Sequence, residues 1–221
     1  MPADGGPLDR SMPTDGGPTS LVERCAAIGT STWSDALDRL GLPGVLAGLE
    51  RRAGALPFAG TVVTVAEEVG PLGSADPGDF GIDRILRGAG PGDVVLIQQV
   101  GVPAASAIGG LAALSAQRHG VRGIVIDGAC RDVDELAEVG LPVLSRATTP
   151  ASGRGRARIT GVNVKLRFDA EGLEVMPGDL LVGDETGVVV IPAGRLDDLL
   201  EAAEARAAQD AAEAQRLRTP R

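Results

Sequence analysis

Two apolar rhythms alternate along the chain. The first is a set of short runs of branched aliphatics: "FAGTVVTVAEEV", Val94–Ile97 in "PGDVVLI", "GIVIDG", "LPVLSRA", and a pair inside "PGDLLVGDETGVVVIP". Such runs, bounded by Gly, Pro and Asp, predict strands. "GIVIDG" is too apolar to have a wet face, so it predicts a strand covered on both sides. The second rhythm recurs at three and four residues. Ile108, Leu111, Ala112 and Leu114 in "ASAIGGLAALSAQRHG" predict a helix closed at Gly120. "RDVDELAEVG" predicts a short helix ending at Gly140, and "GRLDDLLEAAEARAAQDAAEAQRLR" a long Ala-rich one whose basic end complements its dipole. "SLVERCAAIGTSTWSDALDRLGLPG" predicts two short helices, with Ser31, Thr32 and Ser34 offering N-cap oxygens and Gly41 and Pro43 stopping the second. "DFGIDRILRGAGPGDVVLIQQV" predicts a helix, a Gly-Pro-Gly turn and a strand; "VNVKLRFDAEGLEV" a hairpin; "TPASGRGRARITG" a loop.

Strand-helix-strand order in the middle predicts parallel pairing there, and the later hairpins predict antiparallel additions. The expected architecture is one mixed-sheet α/β domain. Residues 1–19 hold a near-repeat, "PADGGPL" and "PTDGGPT", and are expected to form a disordered tail. The domain is expected over 20–193 and the terminal helix over 194–221. "PGDVVLI" and "PGDLLVG" share Pro-Gly-Asp, which turn chemistry alone explains.

Composition narrows the function classes. With 221 residues, 43% hydrophobic, the chain can bury a substantial core; with 2% aromatics and no Tyr, that core is aliphatic. A net charge of −9 argues against a nucleic-acid partner, which needs a basic face. No apolar run is long enough to cross a bilayer, so no membrane partner is expected, and the cytoplasm is the default location. Cys25 and Cys130, without CxxC spacing, predict neither a disulfide framework nor a zinc site, and Cys130, with no candidate base beside it, reads as a small buried filler. His119 is the one histidine, at a helix end, which disfavours a Ser-His-Asp triad and a histidine-rich metal site.

The stretch with chemistry is "GIVIDGACRDVDEL", where a buried strand runs into Arg131, Asp132, Asp134 and Glu135. If a helix starts near Cys130, Asp132 and Glu135 share a face and Arg131 can pair with Glu135. Two carboxylates at a strand end can hold a hard cation such as Mg²⁺ together with waters. Arg131 is then free to grip a substrate carboxylate with its fork. A solvated turn with acids at a helix N-terminus explains the same residues, and the local sequence leaves both readings open. Gly109-Gly110 favours the first, because bare amides at a helix start suit an anion and let it approach closely.

Gly110, twenty residues, Arg131-Asp132, two residues and Glu135 form the pattern G-x20-R-D-x2-E. With "SDALDRLG", "PGDVVLI", "GIVIDGACRD" and "VMPGDLLVGDETGVVVIP", the chain from about Thr30 to Pro192 resembles the RraA-like family. That family includes divalent-metal-dependent 4-hydroxy-4-methyl-2-oxoglutarate aldolases and proteins named as regulators of ribonuclease activity. The resemblance implies a single-domain β/β/α sandwich with mixed sheets, of the swivelling-domain type, assembled as homotrimers or hexamers. It implies Asp132 as metal ligand for Mg²⁺ or Mn²⁺ and Arg131 as substrate ligand. The backbone over Gly109, Gly110, Leu111 and Ala112 would hold the carboxylate of a small-molecule keto acid. Some members carry an acid at the position of Gly110, and Glu135 is its expected substitute. The family often ends the Val94–Ile97 strand in acidic or small residues, whereas this chain has Gln98-Gln99.

The implied activity is retro-aldol cleavage to pyruvate, with oxaloacetate decarboxylation beside it, catalysed through Arg131, Asp132 and Glu135. Lys165, the one lysine, is expected mid-strand, which disfavours Schiff-base chemistry. The alternative is a protein-binding regulator of a ribonuclease without catalysis. A Rossmann methyltransferase is set aside, because "TVVTVAEEVGPLGSADPG" lacks the required Gly-rich loop and acidic ribose ligand.

Overall fold

The computed structural model describes residues 20–101 and 105–219, so the expected tail at 1–19 lies outside the described residues. Helices α1 (Leu21–Ala26) and α2 (Thr30–Arg39) lead into β1 (Val45–Leu46), β2 (Glu50–Ala53) and the long β3 (Phe58–Val69). Helix α3 (Ile82–Leu86) precedes β4 (Asp93–Gly101) and β5 (Ser106–Ile108), and α4 (Gly110–Arg118) leads to β6 (Gly123–Cys130). Helix α5 (Val133–Val139) leads to β7 (Val143–Thr148), followed by β8 (Ala157–Val162), β9 (Leu166–Phe168) and β10 (Leu173–Val175). β11 (Leu180–Gly183), β12 (Val188–Ile191) and α6 (Leu196–Arg218) close the chain.

Ten strands form one sheet in the order β1-β12-β11-β3-β4-β6-β7-β2, with β8 on β3 and β5 on β6; β9 and β10 form the expected hairpin. β3, β4, β6 and β7 run parallel, while β11, β12, β8 and β2 add antiparallel strands. The fold is a mixed α/β fold with a large mixed sheet.

The two-residue period of the central strands explains why both faces are apolar. Val95 and Ile97 of β4 pack with Ile124, Ile126, Ala113 and Leu136 beneath α4 and α5. Val94 and Leu96 face the other way, against Phe58, Val125, Leu166 and Phe168. A fully buried side chain of this kind contributes about 1.5–3 kcal/mol. A third cluster gathers Trp33 of α2, strands β11 and β12, and the first turns of α6 through Leu199, Leu200 and Ala203.

Four expectations are corrected locally. The "TPASGRGRARITG" segment is not all loop. β8 begins at Ala157, burying Ala157 and Ile159 and exposing Arg158 and Thr160, and Arg158 Nη2 donates to Glu68 Oε2 on β3 at 2.6 Å. No serine or threonine of the 31–34 stretch caps α2. The N-cap is Gly29, and Asp184 accepts from the Thr30 amide and hydroxyl, each at 2.8 Å. Lys165 precedes β9 instead of lying mid-strand, and its Nζ pairs with Glu174 Oε2 at 3.1 Å. The helix expected near Cys130 starts at Val133, because β6 continues through Cys130.

The Pro-Gly-Asp segments at 91–93 and 177–179 are turns, as expected. Asp93 Oδ2 accepts from the Gly90 amide at 2.7 Å, and Asp179 accepts from the Met176 and Ala193 amides at 2.8 and 3.0 Å.

Candidate active site

β5 and β6 pair in parallel, Ile108 opposite Cys130, and the Arg131 amide donates to the Ile108 carbonyl at 3.1 Å. The residues that follow, Gly109-Gly110 and Arg131-Asp132, therefore emerge side by side at the carboxyl end of the parallel strands. Ligands collect at that edge of α/β sheets.

Asp132 occupies the left-handed region, φ 55° and ψ 46°. Asp tolerates this conformation better than most residues, yet it still costs on the order of 1 kcal/mol. Asp132 stands at the N-cap of α5, but its side chain makes no capping bond. Its Oδ2 instead faces the Gly110 amide at 3.4 Å and Arg131 Nε at 3.3 Å. Both contacts are long, and 33% of the Asp132 side chain remains exposed. Oδ1 has no hydrogen-bond partner among the described residues, nor do the terminal nitrogens of Arg131. The expected Arg131–Glu135 pair does not form. The left-handed turn at Asp132 keeps Arg131 off the helix, and Arg131 pairs with Asp132 instead.

The absence of side chains at Gly109 and Gly110 has a steric cause. A Cβ on Gly109 would overlap Asp132 Oδ2 and come within 3.0 Å of Arg131 Nε. A Cβ on Gly110 would overlap Glu135 Oε2. The two carboxylates thus reach the same glycine pair from across the site. Both glycines are buried, Ala112 is half-buried, and Leu111 is 81% exposed at the rim.

Gly109, Leu111, Ala112, Arg131, Asp132 and Glu135 line a cleft of about 700 Å³ whose walls also include Phe80, Ser106 and Arg154. Nothing in the sequence pattern marks Phe80 or Ser106 for the site; the one signal is the Gly/Arg character of the segment holding Arg154. Among the described residues no group of three or more His, Cys, Asp and Glu is gathered. The donor set of Asp132 with Glu135 nearby fits a hydrated hard cation, which needs one or two carboxylates. It does not fit a closed zinc cage.

The other titratable candidates stand apart. Burial raises the Cys130 thiol, against the pull of Ser145 and Arg52, so it stays protonated. Burial pushes the Cys25 thiol up to about 11. His119 caps the end of α4, and its Nε2 lies 3.1 Å from the Ala89 carbonyl. A carbonyl only accepts, so Nε2 carries the proton.

Residues 30–190 match the RraA-like family model, described as Aldolase/RraA, and the chain belongs to that family. A Halalkalibacterium halodurans protein named "Putative 4-hydroxy-4-methyl-2-oxoglutarate aldolase" is 34% identical over 58% of this chain and 60% of its own length. The 4-hydroxy-4-methyl-2-oxoglutarate aldolase of Thermus thermophilus is 34% identical over 50% of this chain and 66% of its own. Streptomyces coelicolor RraAS2, described as an unusual member of the RNase ES inhibitor RraA protein family, matches with a TM-score of 0.75. Its identity is 25%, over 93% of this chain and 100% of that one. The chain spans between 29% and 60% of the length of the first three curated relatives it matches. Among the described residues no helix is long and apolar enough to cross a membrane.

Proposed function

We propose that the chain is a divalent-metal-dependent aldolase. It cleaves 4-hydroxy-2-keto acids of the 4-hydroxy-4-methyl-2-oxoglutarate type to pyruvate and decarboxylates oxaloacetate as a side reaction. The observation that carries this reading is the convergence of Arg131, Asp132 and Gly109 in one cleft, with the Gly110 amide facing Asp132 Oδ2.

Each group has a defined task. Asp132, with Glu135 beside it, would hold Mg²⁺ or Mn²⁺. A divalent cation there supplies a Lewis acid for the oxygen that gains charge as the carbon–carbon bond breaks. Arg131 grips the carboxylate of the pyruvyl unit and adds positive charge. The amides of Leu111 and Ala112, in the first turn of α4, have no intrahelical acceptor and can donate to the same carboxylate. Glu135 holds the water that takes the proton from the 4-hydroxyl. Loss of CO₂ from oxaloacetate develops charge at the same atom, so the same residues serve both reactions.

The same reading gives the chain the swivelling β/β/α architecture and a cytoplasmic homotrimer or hexamer. The exposed Leu111 at the rim is the kind of apolar side chain that a neighbouring subunit would cover.

The test is pyruvate release from both substrates with Mg²⁺ or with EDTA. Release with the metal and a loss of at least about 100-fold with EDTA is expected; equal rates remove the metal assignment. A second reading, a ribonuclease-binding regulator, is supported by the likeness to RraAS2. It would be favoured if the wild type and Asp132→Ala inhibited the nuclease equally and neither released pyruvate.

A further inference from the structure

The mechanism leaves Gln98-Gln99, at the end of β4, unused. Gln98 Nε2 donates to the Arg167 carbonyl at 2.6 Å, securing the β9–β10 hairpin. Gln99 has a more specific environment. Its Oε1 accepts from the Ala129 amide at 2.9 Å. Its Nε2 donates to the Ala105 carbonyl at 3.2 Å and to Glu67 Oε2 at 2.6 Å.

Those partners lie where the sheet changes hands. β4 pairs with β6 only as far as Gln98 opposite Asp127. From Ser106 opposite Ala129, β5 takes over as the partner of β6. At that gap the Gln99 carboxamide acts like a peptide group, donating to the strand entering β5 and accepting from the strand leaving β6. A Cβ on Gly128 would overlap Gln99 Oε1, so the chain is bare where this amide passes. Three residues beyond Ala105, β5 ends at Ile108 and gives way to Gly109-Gly110. Two residues beyond Ala129 comes Arg131. The amide thus ties the two strands at the gap, one step before their own ladder resumes at Ser106 and Ala129 and runs on to the Ile108 carbonyl and the Arg131 amide.

Glu67 decides which way the amide faces. It is directly opposite Gln99 in the β3–β4 register, and it is 2% exposed. Its carboxyl accepts from Nε2 and so directs Oε1 toward the Ala129 N–H. A flipped amide would set its NH₂ against that N–H and its oxygen against the Ala105 carbonyl. Burying an acid without a salt bridge is costly, and burial pushes Glu67 up to about 7, against the pull of Gln99. Glu68 and Arg158 beside it pair with each other, and Asp127 pairs with Arg146.

We propose that Gln99 is a positioning residue setting the spacing of Gly109-Gly110 against Arg131-Asp132, with Glu67 the buried acid that fixes its orientation. The proposal rests on the aldolase reading only for its kinetic readout; the second readout is independent of activity. The variant is Gln99→Leu, checked by thermal melt, with kcat and KM for keto-acid cleavage. Hydrogen exchange is followed by mass spectrometry over peptides spanning Ala129–Asp132. The expected result is faster exchange there and a fall in kcat of roughly 10- to 100-fold, the scale of a 1 Å misplacement, with KM within about 3-fold. Unchanged exchange, or faster exchange with kcat intact, overturns the proposal. If Gln99→Leu does not fold, the exchanged pair Glu67→Gln/Gln99→Glu decides. A carboxyl at 99 in its protonated form accepts from Ala129 and the new amide and donates its O–H to the Ala105 carbonyl, so protection and kcat should return to within about 5-fold of wild type; a folded double variant lacking both refutes the idea. If the wild type cleaves no keto acid, the aldolase reading fails and the exchange result alone decides this one.

Discussion

Asp132 and Asp179 are the same residue type, each in a turn beside a strand, and they are held in opposite ways. Asp179 is 5% exposed, and its two oxygens accept from two backbone amides at 2.8 and 3.0 Å. That carboxylate is fully engaged, and its work is to tie the turn before β11 to the end of β12. Asp132 has one amide contact at 3.4 Å, a left-handed backbone and an oxygen without a partner among the described residues. Satisfied hydrogen bonds mark a carboxylate that serves the fold. Long contacts, local strain and an open cleft mark one available to a ligand.

The largest expected effect tests that difference directly. Asp132→Ala should lower pyruvate release by at least about 100-fold while the melting temperature stays within a few degrees. Unchanged activity beside an unchanged melt would make Asp132 no different in kind from Asp179. Gly110→Ala comes next. The new methyl meets Glu135 Oε2, and displacing that carboxylate should cost roughly 10- to 100-fold in kcat, read from initial rates. Full activity would mean that Glu135 moves aside without consequence.

Glu67 sharpens the contrast from a third position, buried like Asp179 but bonded to a side-chain amide. Its carboxyl is raised from 4.5 to about 7 by burial, against the hydrogen bond from Gln99. Because the folded value lies above the unfolded one, its stability contribution is complete below about 4.5 and is lost as pH rises through 7. The loss is on the order of 3 kcal/mol. Melts of wild type between pH 5 and 8 should therefore fall with pH, and Glu67→Gln should remove most of that slope. The smallest effect is Asp179→Ala. Leaving two amides unsatisfied costs about 2 kcal/mol, or roughly 4–8 °C in the melt, with kcat per folded molecule unchanged. A drop in kcat there would blur the distinction between the two aspartates.

What the sequence made legible follows from the range of the physics involved. The β-branched runs and the helical spacing of Ile108 to Leu114 report burial directly, so the central strands and α4 were readable. β8 was hidden because its alternation, Ala157 and Ile159 inward and Arg158 and Thr160 outward, sits in a Gly- and Arg-rich stretch that reads as loop. At the candidate site, the residues Gly110, Arg131, Asp132 and Glu135 could be picked out by spacing. Their arrangement could not, since a left-handed Asp132 leaves no local signature. The same holds for Asp184 capping α2 and for the partners of Gln99, which come from segments distant in the chain.

The single lysine has a practical consequence. Lys165 is the one side-chain amine in the sequence; it is tied to Glu174 on the β9–β10 hairpin and is absent from the cleft walls. Borohydride added together with pyruvate would find no amine in the cleft to trap as a reduced adduct.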